Sequence, residues 1–188
     1  MITPDLQFPR HRLTVDEYYR MAELGILAPD ARVELIEGEI IDMTPQGSRH
    51  ARIVARLYER LVTVLGSRAL VRCQLPIRLG VRSEPEPDFA VVKRLEHDYA
   101  DTHPVAEDVL LLIEISNTTV DYDRMVKVPL YARHGIVETW LVEVPLGRVQ
   151  MFRRPQHGSY ADVSFVDRPS ILHPVALPLV PVDFSGLL

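Results

Sequence analysis

The seven residues from Val109 to Ile115 contain one polar side chain, Glu114. A short run this apolar, bounded by a charged connection before it and by Ser116-Asn117 after it, reads as a central strand buried on both faces. A carboxylate inside such a strand needs a cation or a proton beside it, because an isolated charge in an apolar layer is expensive. The chain must therefore fold so that something positive reaches Glu114.

The flanking stretches supply candidates. Pro87-Asp88 opens a second apolar run, Phe89 to Val92. If the two runs pair antiparallel, the start of the first lies beside the end of the second, and Asp88 and Glu114 reach the same sheet edge. A polar stretch, Ser116 to Asp123, precedes a helix that begins at Asp121 or Asp123, ends at Gly135 and carries Lys127. Pro129 cannot donate to the Met125 carbonyl, so a kink is expected there. Ile136 to Val144 reads as the next strand, which makes the helix a right-handed crossover starting from the edge that holds Glu114. Lys127 lies about a turn inside it and can lean back toward that edge. An Asp, a Glu and a Lys at one sheet edge suit phosphodiester cleavage assisted by a divalent metal. Mg²⁺ or Mn²⁺ takes a few carboxylate oxygens plus waters and substrate phosphate. Asp88, Glu114 and the main-chain carbonyl of Ile115 would suffice as ligands, with Lys127 placing a water or stabilising developing negative charge.

The remaining elements cover or extend this sheet. Leu13 to Gly25 reads as a helix with a Thr14/Glu17 capping box and a Leu13/Tyr18 staple. Val33 to Met43 reads as a hairpin turning at Glu37-Gly38. From Ser48 to Gly66, Ile53, Leu57, Leu61 and Leu65 recur every four residues, with Arg49, Arg52, Arg56 and Arg60 mostly on the other face. Ser48 can cap this helix, and His50 sits in its first turn. Residues 70–79 alternate apolar and polar as one strand, with Pro76 restricting pairing. Arg148 to Arg153 and Tyr160 to Val166 read as further strands. The tail from Arg168, rich in Pro, Leu and Val, is too apolar for a solvated linker and packs on the body or on a second subunit.

Bulk properties narrow the class. At 188 residues the chain fits a single domain with a core over about residues 33–150 and a tail over 168–188. A net charge of −5 argues against a large DNA-coating surface, but a carboxylate-rich metal site contributes negative charge itself. No apolar run would span a bilayer, and Met1 to Arg10 has no signal-peptide core, so the cytoplasm is the expected location. Cys73, the one cysteine, reads as a core thiol. Only Lys93 and Lys127 are lysines, all other cationic side chains being arginine. Where Lys persists against such a bias, its compact charge is the feature to explain.

In this order and spacing, VELIEGEI at 33–40, His50 opening the long helix, EPDFAVV at 86–92, LLIEIS at 111–116 and DYDRMVKVPLYARHGIVETWLVEV at 121–144 resemble the PD-(D/E)XK nuclease superfamily. The closer resemblance is to its bacterial Uma-type branch of candidate restriction endonucleases. The resemblance covers about residues 14–150 and implies an α/β (α+β) restriction-endonuclease-like core. That core is a mixed central β-sheet flanked by helices in the order αβββαβ, with the N-terminal helix and hairpin added. It implies Asp88 and Glu114 as metal ligands, Lys127 as the catalytic lysine and Glu34 as a further acidic residue. The superfamily's simplest pattern puts Lys two residues after the Glu, where this chain has Ser116; in the Uma-type branch the lysine comes from the following helix, which matches Lys127. A DNA endonuclease acting as a homodimer is the implied function, since two strands are cut by two sites related by a twofold axis.

Other readings stand beside this one. Asp88 could be a turn residue, and Lys127 could pair with Asp123 on a surface. Glu34 could face solvent, His50 could cap its helix, and Tyr131 could be a packing residue. The chain could be a non-catalytic nucleic-acid-binding or assembly module that presents the arginine face of 48–66, or a hydrolase of another phosphate ester.

Overall fold

The computed structural model describes residues 10–188. The reading of the first residues as lacking a signal-peptide core falls, for Met1 to Pro9, outside the described residues. The first helix, α1 (Val15–Glu23), has the expected capping box. Glu17 N–H donates to Thr14 Oγ1 at 3.2 Å, and Thr14 N–H donates to Glu17 Oε2 at 2.8 Å. The hairpin of β1 (Val33–Ile36) and β2 (Glu39–Asp42) turns at Glu37 and Gly38, whose φ angles of 49° and 79° make the tight turn that matches strand twist. Helix α2 (Ser48–Leu65) buries Ile53, Val54, Leu57, Leu61 and Leu65. Its start differs from expectation. Gly47 is the cap, and Ser48 is already helical and makes no side-chain cap bond.

Six strands form the central sheet in chain order: β3 (Leu70–Cys73), β4 (Phe89–Val92), β5 (Val109–Ser116), β6 (Glu138–Glu143), β7 (Arg148–Gln156) and β8 (Ser159–Asp167). Every neighbouring pair is antiparallel except β5 with β6, which is parallel. That parallel step is made by the helical segment α3 (Val120–Tyr122), a π-helical turn (Asp123–Lys127) and α4 (Val128–Arg133). The central strands β4, β5 and β6 are buried on both faces. Phe89, Val91, Leu111, Ile113, Ile115, Trp140 and Val142 pack with α2, while Ala90, Val92, Leu112 and Leu141 pack with Val128, Leu130 and Tyr131. The alternation of these residues along each strand is the period of two that puts neighbours on opposite faces. Each fully buried Leu, Ile, Val or Phe stabilises by about 1.5–3 kcal/mol.

Three local departures from the sequence reading have physical causes. The strand expected over 70–79 stops at Cys73, because Gln74 adopts a φ of 52° and directs its N–H to the Asp88 carbonyl at 3.1 Å. Ile77 and Leu79 remain buried, but their N–H groups close a loop onto Pro85 and Ser83 rather than extending the ladder. The kink expected at Pro129 is a π-helical turn instead, in which Val128 N–H donates to the Asp123 carbonyl, five residues back. The tail packs on the body. It forms a two-stranded unit, β9 (Ile171–Leu172) with β10 (Val182–Asp183), and Leu172, Val180, Val182, Phe184 and Leu187 join the core around α2. Arg60 donates to the carbonyls of Asp183 and Ser185 at 2.9 and 3.0 Å, and Arg52 to that of Gly186 at 3.3 Å. Much of the arginine face of α2 is thus occupied by the chain's own tail. Among the described residues no helix is long and apolar enough to cross a membrane.

Candidate active site

The antiparallel register Phe89↔Ile113 sets Asp88 beside Glu114 at the C-terminal end of β5. Asp88 N–H donates to Glu114 Oε2 at 3.2 Å, and Ile115 N–H donates to Asp88 Oδ2 at 2.8 Å. The N–H and carbonyl of one strand residue project to the same side, so the Ile115 carbonyl turns toward the Asp88 edge as well. Asp88 is held from two more directions. His50 Nε2 in the first turn of α2 lies 3.0 Å from Oδ2, and Gln74 Nε2 donates to Oδ1 at 3.0 Å. Burial works to raise the Asp88 pKa, but the His50 bond and charge, Gln74 and the Ile115 N–H outweigh it, and the group stays below the ordinary aspartate value.

Glu114 is in a different state. It is buried, and burial pushes its carboxyl up to about 8 even though Lys127 opposes the shift. Tyr131 donates to its Oε1 at 2.5 Å, and Lys127 Nζ lies 3.1 Å from the same oxygen. The same ammonium is 3.3 Å from Glu34 Oε2 and donates to the Glu86 carbonyl at 3.3 Å. Burial alone would lower the Lys127 pKa; Glu114, Glu34, Asp123 and Asp88 reverse that and hold it charged. Glu34 does not face solvent. It is 3 % exposed, and its carboxylate accepts from Glu86 N–H at 3.0 Å and from Tyr122 Oη at 3.1 Å.

Asp88, Glu114, Glu34 and Lys127 line one cleft of about 590 Å³, together with His50, Ile115 and Asp123. Its walls are the loop Thr44 to Gly47 and the loop Asn117 to Thr119. Tyr131 lies behind it, where it holds Glu114 through its hydroxyl. Among the described residues no three His, Cys, Asp or Glu side chains form a ready-made metal cage. A hard cation such as Mg²⁺ does not require one. It keeps waters and takes one or two carboxylates plus substrate oxygens, and the pair Asp88 and Glu114 with the Ile115 carbonyl matches that donor chemistry.

Asp123 belongs to the site although the sequence reading gave it only a surface role. It is buried, accepts from Thr119 Oγ1 at 2.9 Å, and burial raises its carboxyl despite Lys127. Its signal was its position four residues before Lys127, which gives the two a shared helix face. Gln74 had no such signal, because it reaches Asp88 only through the turn that ends β3.

A family model described as "Putative restriction endonuclease", Uma2, matches residues 15–183. The chain belongs to the Uma2 family. The match takes in both Glu34 and the tail strands, so it extends beyond the stretch that carries the sequence resemblance. Among solved structures, the chain is similar to one described as "a putative nuclease belonging to DUF820" from Anabaena variabilis ATCC 29413. The two share 23% identity over 93% of this chain and 97% of that one, with a TM-score of 0.71. At that identity the likeness establishes the fold, which is the restriction-endonuclease-like mixed sheet described above. No curated protein matches the chain.

Proposed function

We propose that the chain is a divalent-metal-dependent nuclease that hydrolyses phosphodiester bonds in DNA as an endonuclease. The observation that carries the reading is the convergence on Glu114: one buried carboxylate touched by the Asp88 N–H, the Lys127 ammonium and the Tyr131 hydroxyl at the floor of an open cleft. The Uma2 membership supports it. Asp88, Glu114 and the Ile115 carbonyl would hold Mg²⁺ or Mn²⁺. When bound, such an ion lowers the pKa of a coordinated water and neutralises charge on the phosphoryl oxygens.

The chain's own residues do the rest. His50 and Gln74 fix the Asp88 carboxylate so that it needs no reorganisation when ligand arrives. Tyr131 fixes the Glu114 carboxyl through its hydroxyl, and Glu34 keeps the Lys127 ammonium at the cleft floor. From there Lys127 can orient the attacking water or meet the negative charge that develops on the phosphorus oxygens. A homodimer with two such sites would cut both strands. The alternative of a non-catalytic module draws less support than the sequence suggested, since Arg52 and Arg60 of α2 are bound to the tail.

The test is cleavage of supercoiled plasmid by wild type and Glu114→Ala, each with Mg²⁺, Mn²⁺ or EDTA. Nicking by wild type that EDTA abolishes and Glu114→Ala lacks is the expected result. Nicking that survives in Glu114→Ala would reject the site. If wild type does not nick, Mn²⁺ titration by calorimetry decides the metal part of the reading. Binding lost in Glu114→Ala retains it, and no binding by wild type rejects it.

A further inference from the structure

Four-residue steps along an α-helix overshoot a full turn by about 40°, so residues eight apart diverge by about 80°. Asp123, Lys127 and Tyr131 are spaced four and four, yet all three face inward, at 6 %, 5 % and 0 % exposure, while Met125 between them is 74 % exposed. The π-helical turn over Asp123–Lys127 explains the alignment. A wider turn takes up the overshoot, and the Val128 N–H bond to the Asp123 carbonyl marks where the extra residue is accommodated.

The residue that makes this turn stable is two positions further on. In a regular α-helix the N–H of residue 129 would donate to the Met125 carbonyl. Proline has no N–H, and its ring would collide with that carbonyl. Widening the turn before it moves the carbonyl away. Past this point the helix is anchored by Leu130 and Tyr131, both fully buried, so the adjustment falls on the segment that carries Asp123 and Lys127.

We propose that Pro129 is a positioning residue for the cleft: it holds the π-helical turn that brings Asp123 and the Lys127 ammonium together beside Glu34 and Glu114. Its functional consequence rests on the nuclease reading, whereas its structural consequence does not. Pro129 touches none of the reacting groups and acts only through the register of the helix.

Pro129→Ala tests it. Alanine is the better helix residue by about 3 kcal/mol in a helix interior, so the variant is expected to fold with an undiminished thermal midpoint. With the ring gone and an N–H restored, the turn is expected to rewind. In crystal structures of both proteins, Val128 N–H donates to Asp123 in wild type and to Arg124 in the variant, and Lys127 Nζ leaves one or both carboxylates. In plasmid nicking, kcat is expected to fall on the order of a hundredfold, with KM for DNA changed less than twofold. That split separates misplaced chemistry from general loss of fold, which would lower the thermal midpoint. A variant that keeps the Val128–Asp123 bond, or that rewinds but keeps kcat within threefold of an active wild type, overturns the proposal. Should wild type not nick, the nuclease reading is decided separately, by the Mn²⁺ titration. The register role is then decided by the Val128 partner and the Lys127 position in the two structures.

Discussion

Glu114 in β5 and Glu138 in β6 are both carboxylates buried in neighbouring central strands, and their surroundings differ. Glu138 is fully buried and surrounded by donors. Trp140 Nε1 and Arg153 Nε each donate to Oε1 at 2.7 Å, and Val175 N–H donates to Oε2 at 2.6 Å. It does not line the cleft. Glu143, at the end of β6, is likewise enclosed, by Arg124 and Arg148. Glu114 shares its ammonium with Glu34, lines the cleft, and is pushed toward its neutral form. A buried carboxylate with donors on both oxygens and no cavity beside it ties structure together. One that is raised in pKa at the floor of a cleft is poised for a ligand. Burial of charge does not by itself separate the two cases.

The comparison breaks most sharply under paired substitutions. Glu114→Gln removes a charge that burial disfavours and keeps the shape, and Lys127 retains Glu34 at 3.3 Å. Its cleavage is expected to fall at least about a hundredfold, with little change in the urea midpoint. Glu138→Ala is expected to do the reverse. It strands Arg153 and leaves the Trp140 and Val175 N–H groups without their acceptor, a loss of about 3 kcal/mol of unfolding free energy. Nicking per folded molecule should stay near wild type. Urea unfolding measured alongside plasmid nicking reads both axes. If Glu138→Ala lost activity with its fold intact, or Glu114→Gln cost as much stability as Glu138→Ala, the division between the two carboxylates would fail.

The same pair shows what the sequence could carry. Glu114 stands out because the run around it is otherwise apolar, and its partners Asp88 and Lys127 follow from strand pairing and a crossover helix. Glu34 entered through family resemblance alone, and the hairpin that delivers it was legible from Glu37-Gly38. Glu138 and Glu143 are also carboxylates in a strand with apolar stretches, and nothing in that pattern says what each will bind. What distinguishes them is which donors fold against them, Arg153 from the next strand and Val175 from the tail, and those contacts are tertiary. The break at Gln74 is of the same kind. Alternation runs on to Leu79, but the turn is set by bonds from Gln74 to Asp88 that no pattern within 70–79 contains. Pro129 lies between these cases: the sequence marks where the helix is disturbed, and packing decides that the disturbance is a wide turn rather than a bend.

The smallest effect concerns the tail that supplies Val175 to Glu138. Arg60 fastens that tail through two carbonyls, those of Asp183 and Ser185. Arg60→Ala is expected to cost about 1 kcal/mol, the net worth of hydrogen bonds from a charged donor on a partly exposed surface. Chymotryptic nicking within residues 169–188 should accelerate, because the tail opens before the sheet does. Since Arg60 is engaged by the chain itself and does not line the cleft, DNA affinity and its salt dependence should not move. A phosphate contact would show differently, as weaker binding on all sequences and a salt slope reduced by about one. That second outcome would return the arginine face of α2 to the nucleic-acid interface, and the tail would then be a cover over that interface rather than part of the network around Glu138.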